Sequence, residues 1–438
     1  MSKPLNTVVK KRGITVKVCV VGLGYIGLPT SAIFANYNAD VVGVDIFPEV
    51  VDKLNRGVIH IEEPGLGDII KEVVANGKFK ASLTPEEADA FIIAVPTPNK
   101  DDKYRSCDLK CVLNAIKSIL PFVKKENVII VESTIAPRTM DDHVTPLIEK
   151  AGFKIGEDIF LSHCPERVLP GQILHELIYN NRIIGGVTPA CAEASAEIYR
   201  LFVKGEIIQT TARTAEMSKL MENTFRDVNI ALANELVKIC NDLEVNVIDA
   251  LHLANKHPRV NLHQPGPGVG GHCLAVDPYF IVSKSPELAK IIKLSRDTNQ
   301  SMPEYVASAV KALVKDVDNP KIAAFGVTYK GNVDDIRESP AMDVIGMLTK
   351  EGIDVALHDP HVESNKWNFV SAEESVRNAD LILILADHDE FKSLNYSELA
   401  RKMKTPQLFD TRNCVQKDVV NCDGINVINF GNLYQFVK

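Results

Sequence analysis

From Val16 to Gly22 the chain reads VKVCVVG, an apolar run broken only by Lys17. It passes through Gly22, Gly24 and Gly27 into a mostly apolar helical stretch that reaches about Ala39. A short continuous apolar run suits a strand covered on both faces, as in a parallel sheet flanked by helices. DVVGVD then ends at Asp45, and AFIIAVPTP (90–98), NVIIVESTIAP (127–137) and DIFLSHCPERV repeat the pattern. The periodicity changes from about Thr214 to Asn241, where AEMSKLMENTFRDVNIALANELVKICN predicts one long helix. Met217, Leu220, Met221, Thr224 and Val228 form an apolar stripe on it, and Lys219 and Asn223, four apart, share a face. Strand-like runs return in KIAAFGVTYKGN (321–332), VALHDP (355–360) and ADLILILADHDEF (379–391), interleaved with helical stretches near 340–351 and 396–403. The expected fold is therefore α/β, with two Rossmann-like doubly wound domains joined by a long central helix. The expected boundaries are 14–212, 213–312 and 313–438.

Length agrees with that division, because 438 residues exceed one ordinary hydrophobic core. Composition, with 45% apolar and 24% charged residues, permits well-filled cores and argues against disorder. A formal charge of -8 argues against a general nucleic-acid binder but leaves room for a local basic pocket. Nine cysteines without CxxC pairs suit a reducing cytosol, and the expected location is cytoplasmic. No apolar run is long enough to span a membrane. The basic start of the chain, with Lys3, Lys10, Lys11 and Arg12, reads as a loose arm rather than a leader.

Gly22, Gly24 and Gly27 form a GxGxxG fingerprint between a strand and a helix, which points to a dinucleotide. Asp45 stands at the end of the next strand, where a carboxylate holds both ribose hydroxyls and repels a 2'-phosphate, so NAD is favoured over NADP. Thr97 and Thr134 follow strand ends, as cofactor or substrate contacts or as helix caps. Glu166 and Arg167 stand at another strand end, where the acid either polarises a water or makes a surface salt bridge. Lys219 and Asn223 either reach into one pocket or face solvent. The second α/β unit lacks a GxGxxG at its first turn, so a second dinucleotide site is not expected there; Lys330 and Arg337 are candidates for phosphate contacts.

The segment RVNLHQPGPGVGGHCLAVDPYF (259–280) carries the chemistry. Its prolines and glycines exclude regular helix or strand, so it is a shaped loop that presents His272 and Cys273. A helix starting near Val276 would place Cys273 at its amino end, where donors and dipole favour a thiolate, with Asp277 one turn along. His272 as a metal ligand lacks companions at the right spacing, so no metal is expected. A Cys/His pair or a purely structural cysteine are the other readings.

Taken in order, GLGYIG, VPTP, STIAP, PERVLPG, AEMSKLMEN, PGPGVGGHC with VDP, and FGVTYKGNVDDIRESP resemble the UDP-glucose/GDP-mannose dehydrogenase family from about residue 16 to 430. The resemblance implies NAD in the first domain, a UDP-sugar substrate, a dimer built on the long helix, and a four-electron oxidation of the C6 alcohol to a carboxylate. It further implies Cys273 as nucleophile, Lys219 and Asn223 as oxyanion or substrate donors, and Asp277 as the carboxylate that orients water. Glu166 and Thr134 would position the hydrolytic water. Tyr25, Ile26 and Thr97 join the glycines and Asp45 as cofactor contacts, together with Thr134 and Arg337. Arg167, Arg259, Gly270, Tyr329 and Lys330 join Glu166, Lys219 and Asn223 as substrate contacts. HQPGPGVGGHCLAVDPYF and ENTFRDVNIALANEL look like the branch acting on UDP-N-acetylmannosamine, with UDP-N-acetylglucosamine and UDP-glucose as alternatives. A two-electron 3-hydroxy acid dehydrogenase or a non-catalytic NAD sensor are alternatives of another class. The former also places a catalytic lysine on a helix but needs no nucleophilic cysteine and generally lacks a second complete α/β domain, and Lys219, Cys273 and Asp277 together argue against the latter.

Overall fold

The computed structural model describes residues 15–363, 366–415 and 424–437. The four basic residues at the start of the chain lie outside them. The chain divides into two compact units: the first runs to Glu222 and includes Tyr279–Pro286, and the second comprises Asn223–Pro278 and Glu287 onward.

The first unit is built on eight strands: β1 (Lys17–Val21), β2 (Asp40–Val44), β3 (Phe79–Ser82), β4 (Ala90–Ile93), β5 (Val128–Val131), β6 (Phe160–His163), β7 (Arg182–Gly186) and β8 (Ile207–Thr211). They lie in the order β3-β2-β1-β4-β5-β6-β7-β8. The pairings are parallel except between β6 and β7. Every residue of β4 and β5 is buried, because helices cover both faces and leave no side for polar residues. The order reverses between β1 and β4, which opens the crevice of a doubly wound sheet beyond their carboxyl ends.

The second unit holds β9 (Lys321–Phe325), β10 (Asp354–His358), β11 (Leu381–Ile384), β12 (Gln407–Asp410) and β13 (Asn426–Asn429), ordered β10-β9-β11-β12-β13 and all parallel. Its switch point falls between β9 and β11. Between the two sheets the chain is helical, with helices at Ala212–Asp242, Val247–Ala254, Asp277–Lys284, Lys290–Gln300 and Met302–Leu313. Among the described residues no helix is long and apolar enough to cross a membrane.

Along the long helix Ala212–Asp242 the expected stripe divides: Leu220 and Thr224 are buried, whereas Met217 and Met221 are exposed, and Phe225, Leu232 and Ile239 extend that exposed apolar surface. The buried residues mix apolar Ala215, Leu220, Ala233 and Val237 with polar Glu216, Lys219, Asn223, Asp227 and Asn234. Burial of the polar groups is tolerated where partners are supplied. Asp227 takes Arg296 Nη1 at 2.6 Å and Asn299 Nδ2 at 2.8 Å, and Asn234 accepts the Gly266 amide at 2.9 Å.

Candidate active site

In the first unit the three fingerprint glycines serve three different needs. Gly22 has φ +95°, and a Cβ there would stand 2.5 Å from the Ala94 carbonyl oxygen. A Cβ on Gly27 would collide with the Gly22 carbonyl oxygen at 1.7 Å, so the helix Gly27–Asn36 packs against the turn only without one. A Cβ on Gly24 meets nothing, and Gly24 and Tyr25 are exposed at the mouth of the turn. Space kept free at the middle glycine fits a pyrophosphate approaching the backbone. Asp45 is aimed by two amides, Leu23 N–H on Oδ2 at 3.0 Å and Phe47 N–H on Oδ1 at 3.1 Å. Beside it Ile46 is 80% exposed, so the carboxylate borders open surface where a ribose and its base would fit. The residues present therefore suit a dinucleotide with a free 2'-hydroxyl.

Thr97 and Thr134 are brought together, the Thr97 hydroxyl donating to the Thr134 carbonyl at 2.6 Å. Neither caps a helix. Glu166 is not a surface salt bridge: its side chain is 9% exposed, and it takes Arg182 Nη2 on Oε2 at 2.6 Å and the Arg167 amide on Oε1 at 2.7 Å. The Arg167 side chain turns away to Glu222 and the Asn181 carbonyl. Arg182 Nη2 also reaches Glu132 at 2.9 Å, and Glu132 is fully buried. Burial, opposed chiefly by Arg182, raises the Glu132 carboxyl to about 7. Lys219, 9% exposed, lies near His163, whose Nδ1–H donates to the Val131 carbonyl at 2.8 Å. Burial pushes His163 down to about 4, and the Lys219 charge lowers it further, so the imidazole is neutral at physiological pH. Glu132, Arg182 and His163 were not found from sequence. NVIIVESTIAP shows an acid directly after an apolar strand, which is the signal that was available for Glu132.

In the second unit the loop before Cys273 is held by close contacts that only glycine permits. A Cβ on Gly270 would stand 2.2 Å from the Glu338 carbonyl oxygen, and one on Gly271, at φ +79°, would strike the Tyr329 ring at 2.7 Å. Tyr329 thus serves the loop as a wall. The Cys273 carbonyl accepts the Asp277 amide at 2.8 Å and the Val276 amide at 3.1 Å, which places Cys273 in the turn that leads into the helix Asp277–Lys284. The residue is exposed. Asn223 Nδ2 donates to Asp277 Oδ2 at 2.6 Å, with Asp277 3% exposed. Asn223 is one turn from Lys219 on the same buried helix face, so neither residue takes the solvent-facing alternative.

Arg337, Lys330 and Arg259 stand outside these hydrogen-bonded groups. Arg337 is paired in its own loop with Asp335, Nε to Oδ1 at 2.8 Å and Nη2 to Oδ2 at 2.7 Å. Lys330 and Arg259 are exposed; the Lys330 carbonyl accepts from Thr328 Oγ1 and the Arg259 amide donates to His257 Nδ1. Burial and the Arg337 charge lower His272, and its one ion-pair contact is Asp335 at 3.8 Å. Among the described residues, His361, His388 and Glu390 bring ligand-type atoms within 4.8 Å of one another. The Asn332 amide donates to His388 Nδ1 at 2.9 Å, which forces the proton onto Nε2. That N–H donates to Asp359 Oδ2 at 3.1 Å.

A doubly wound sheet that carries an acid-tipped glycine turn is the frame of a dinucleotide-dependent oxidoreductase, and the second unit adds an exposed cysteine just before a helix. Family models match residues 16–203 (UDP-glucose/GDP-mannose dehydrogenase family, NAD binding domain), 213–301 (central domain) and 323–417 (UDP binding domain). The chain belongs to that family of UDP-sugar dehydrogenases. It is 47% identical over 423 residues to the UDP-N-acetyl-D-mannosamine dehydrogenase of Methanococcus maripaludis, covering 95% of this chain and 97% of that one. The structure of the UDP-N-acetyl-mannosamine dehydrogenase Cap5O from S. aureus superposes with a TM-score of 0.90 at 60% identity, covering 96% of this chain and 100% of the other. An NDP-N-acetyl-D-galactosaminuronic acid dehydrogenase of Ralstonia nicotianae is 44% identical over 408 residues, covering 90% and 95%.

Proposed function

We propose that this protein is a UDP-N-acetyl-D-mannosamine 6-dehydrogenase that uses NAD and forms UDP-N-acetyl-D-mannosaminuronate. The observation that carries the chemistry is the exposed Cys273 in the turn that leads into a helix, with the Asn223–Asp277 pair at the start of that helix. The choice of sugar rests on the likeness to proteins named for it. Bound NAD would supply the oxidant for both two-electron steps.

The other steps belong to the chain's own groups. Lys219 stabilises negative charge developing on the C6 oxygen, and the Asn223 amide donates to the same oxygen or to the sugar. Cys273 adds to the C6 aldehyde, forming a C–S bond and a thiohemiacetal, and this keeps the aldehyde from leaving as its hydrate. After the second oxidation a thioester remains on Cys273. Water then attacks its carbonyl, with Thr134 and Asp277 orienting the water and Glu166 taking its proton. Gly22, Gly24, Tyr25, Ile26, Gly27, Asp45, Thr97, Thr134 and Arg337 are proposed for the cofactor. Arg167, Arg259, Gly270, Tyr329 and Lys330 are proposed for the substrate.

The uncovered stripe of Met221, Phe225, Leu232 and Ile239 supports a homodimer along the long helix. A cytoplasmic enzyme feeding polysaccharide assembly completes the reading. The test is Cys273→Ser. It is expected to bind NAD and melt like wild type while producing no uronate, as followed by product chromatography. Uronate formed at the wild-type rate would remove the covalent mechanism.

A further inference from the structure

Behind Glu166 lies a buried acid–base–acid chain that the proposed chemistry does not yet use. Arg182, at the start of β7 and 5% exposed, spends one amino group on two carboxylates, Glu132 at 2.9 Å and Glu166 at 2.6 Å. Its Nε donates to Cys164 Sγ at 3.2 Å, and its guanidinium lies over the Tyr199 ring at 4.1 Å. Burial holds Cys164 up at about 11, so that sulfur is a thiol that accepts this bond. Glu132 takes the Tyr199 hydroxyl on Oε1 at 2.5 Å and the Thr30 hydroxyl on Oε2 at 3.3 Å. The groups facing Glu132 are thus Arg182 from β7, Tyr199 from the helix Pro189–Tyr199, Thr30 from the helix Gly27–Asn36, and Cys164 and Glu166 from the segment after β6.

Two carboxyl groups share one guanidinium, with Glu132 fully buried and the Glu166 side chain only 9% exposed. A packing role alone would be served as well by apolar residues of similar size, because buried ion pairs contribute little net stability. What the chain does provide is a fixed carboxylate. Glu166 is gripped at both oxygens, by Arg182 and by the Arg167 amide, and Arg182 is itself fixed by four groups on three separate segments.

We propose that Glu132 and Arg182 are positioning residues for Glu166, holding its carboxylate in the rotamer that takes the proton of the hydrolytic water. This rests on Glu166 acting in thioester hydrolysis. In that step a water O–C bond forms at C6, the C–S bond to Cys273 breaks, the thiolate leaves and one water proton passes to Glu166. Removing the negative charge of Glu132 frees Arg182 from its second partner and loosens the grip on Glu166. Because Glu132 loses its proton near neutrality, the grip also changes with pH over that range.

The experiment compares wild type, Glu166→Gln and Glu132→Gln of the full chain with UDP-N-acetylmannosamine and NAD. Steady-state rates are taken between about pH 6 and about pH 9, and intact mass is measured after acid quench. Glu132→Gln is expected to lower kcat by about tenfold or more, with KM for both substrates within about twofold. It should accumulate the sugar adduct on Cys273 and lose an inflection near neutrality that wild type shows. Tyr199→Phe, which removes one donor to Glu132, should shift the same inflection, and it serves if Glu132→Gln does not fold. Glu166→Gln at the wild-type rate would overturn both the hydrolytic role and this proposal. A slow Glu166→Gln beside a Glu132→Gln or Tyr199→Phe with an unchanged profile and no adduct would overturn the positioning role alone.

Discussion

After β1 the Gly22 amide donates to the Val44 carbonyl at 2.8 Å, and after β9 the Gly326 amide donates to the His358 carbonyl at 2.9 Å. Both glycines have positive φ, +95° and +84°. The next amide in each unit meets an aspartate from the neighbouring strand end, Leu23 on Asp45 at 3.0 Å and Val327 on Asp359 at 2.8 Å. The other carboxylate oxygen takes the amide two residues on, from Phe47 at 3.1 Å and from His361 at 2.9 Å. The likeness ends there. Asp45 borders exposed Ile46, whereas Asp359 Oδ2 also takes the Nε2–H of buried His388 at 3.1 Å, and His361 stacks on His388 at 4.7 Å. In the first unit a helix starts at Gly27, five residues past the turn glycine; in the second the next helix starts at Pro340. The same crossover leaves its acid free for a ligand in one unit and consumes it internally in the other. The backbone frame of a dinucleotide turn is therefore not evidence for a dinucleotide. The unspent acid and the adjoining helix start are.

The contrast breaks most visibly at Asp359. Asp359→Ala strands the Val327 and His361 amides and the His388 N–H, and should cost about 3–5 kcal/mol of stability with KM for NAD unchanged, as read by denaturant melts and kinetics. Asp45→Ala should do the reverse. Lost charged hydrogen bonds of about 1.5–3 kcal/mol would raise KM for NAD roughly tenfold or more, with little change in the melt. An Asp359 variant with weakened NAD binding would remove the distinction between the two crevices.

The smallest effect concerns pH. Burial raises Glu132 and Glu216 from an ordinary 4.5 to about 7, so between those values the folded state holds protons that the unfolded state has released. Their contribution is fully present below the unfolded value and is lost as pH rises through about 7. The melting temperature should therefore fall as pH rises across that window, and Glu132→Gln should flatten part of the fall. Asp359 has the opposite sign. Burial would raise it, but His388 and the Val327 amide outweigh burial and hold it below its ordinary value, so its contribution is lost only in acid.

The two sheets were legible because strands covered on both faces must be continuously apolar, as in VKVCVVG and ADLILIL. β3, β7, β8, β12 and β13 were not read: FKAS and IIQTT carry exposed residues, and RIIGG ends in two glycines, so none presents the long apolar run of the others. The glycine turn, Asp45 and the Cys273 loop announced themselves through residues with few other uses. The buried polar residues of the long helix did not, since periodicity sorts apolar from polar without saying which side is covered. Nor did the Glu132–Arg182–Glu166 chain, whose members are 34 and 16 residues apart and meet only through sheet order.

The most direct test of the central claim is NADH formed per mole of sugar consumed, using UDP-N-acetylmannosamine with UDP-N-acetylglucosamine and UDP-glucose as matched controls. A yield of two with a clear preference for the manno sugar is the expected result. A yield of one with every sugar would contradict the four-electron oxidation through Cys273.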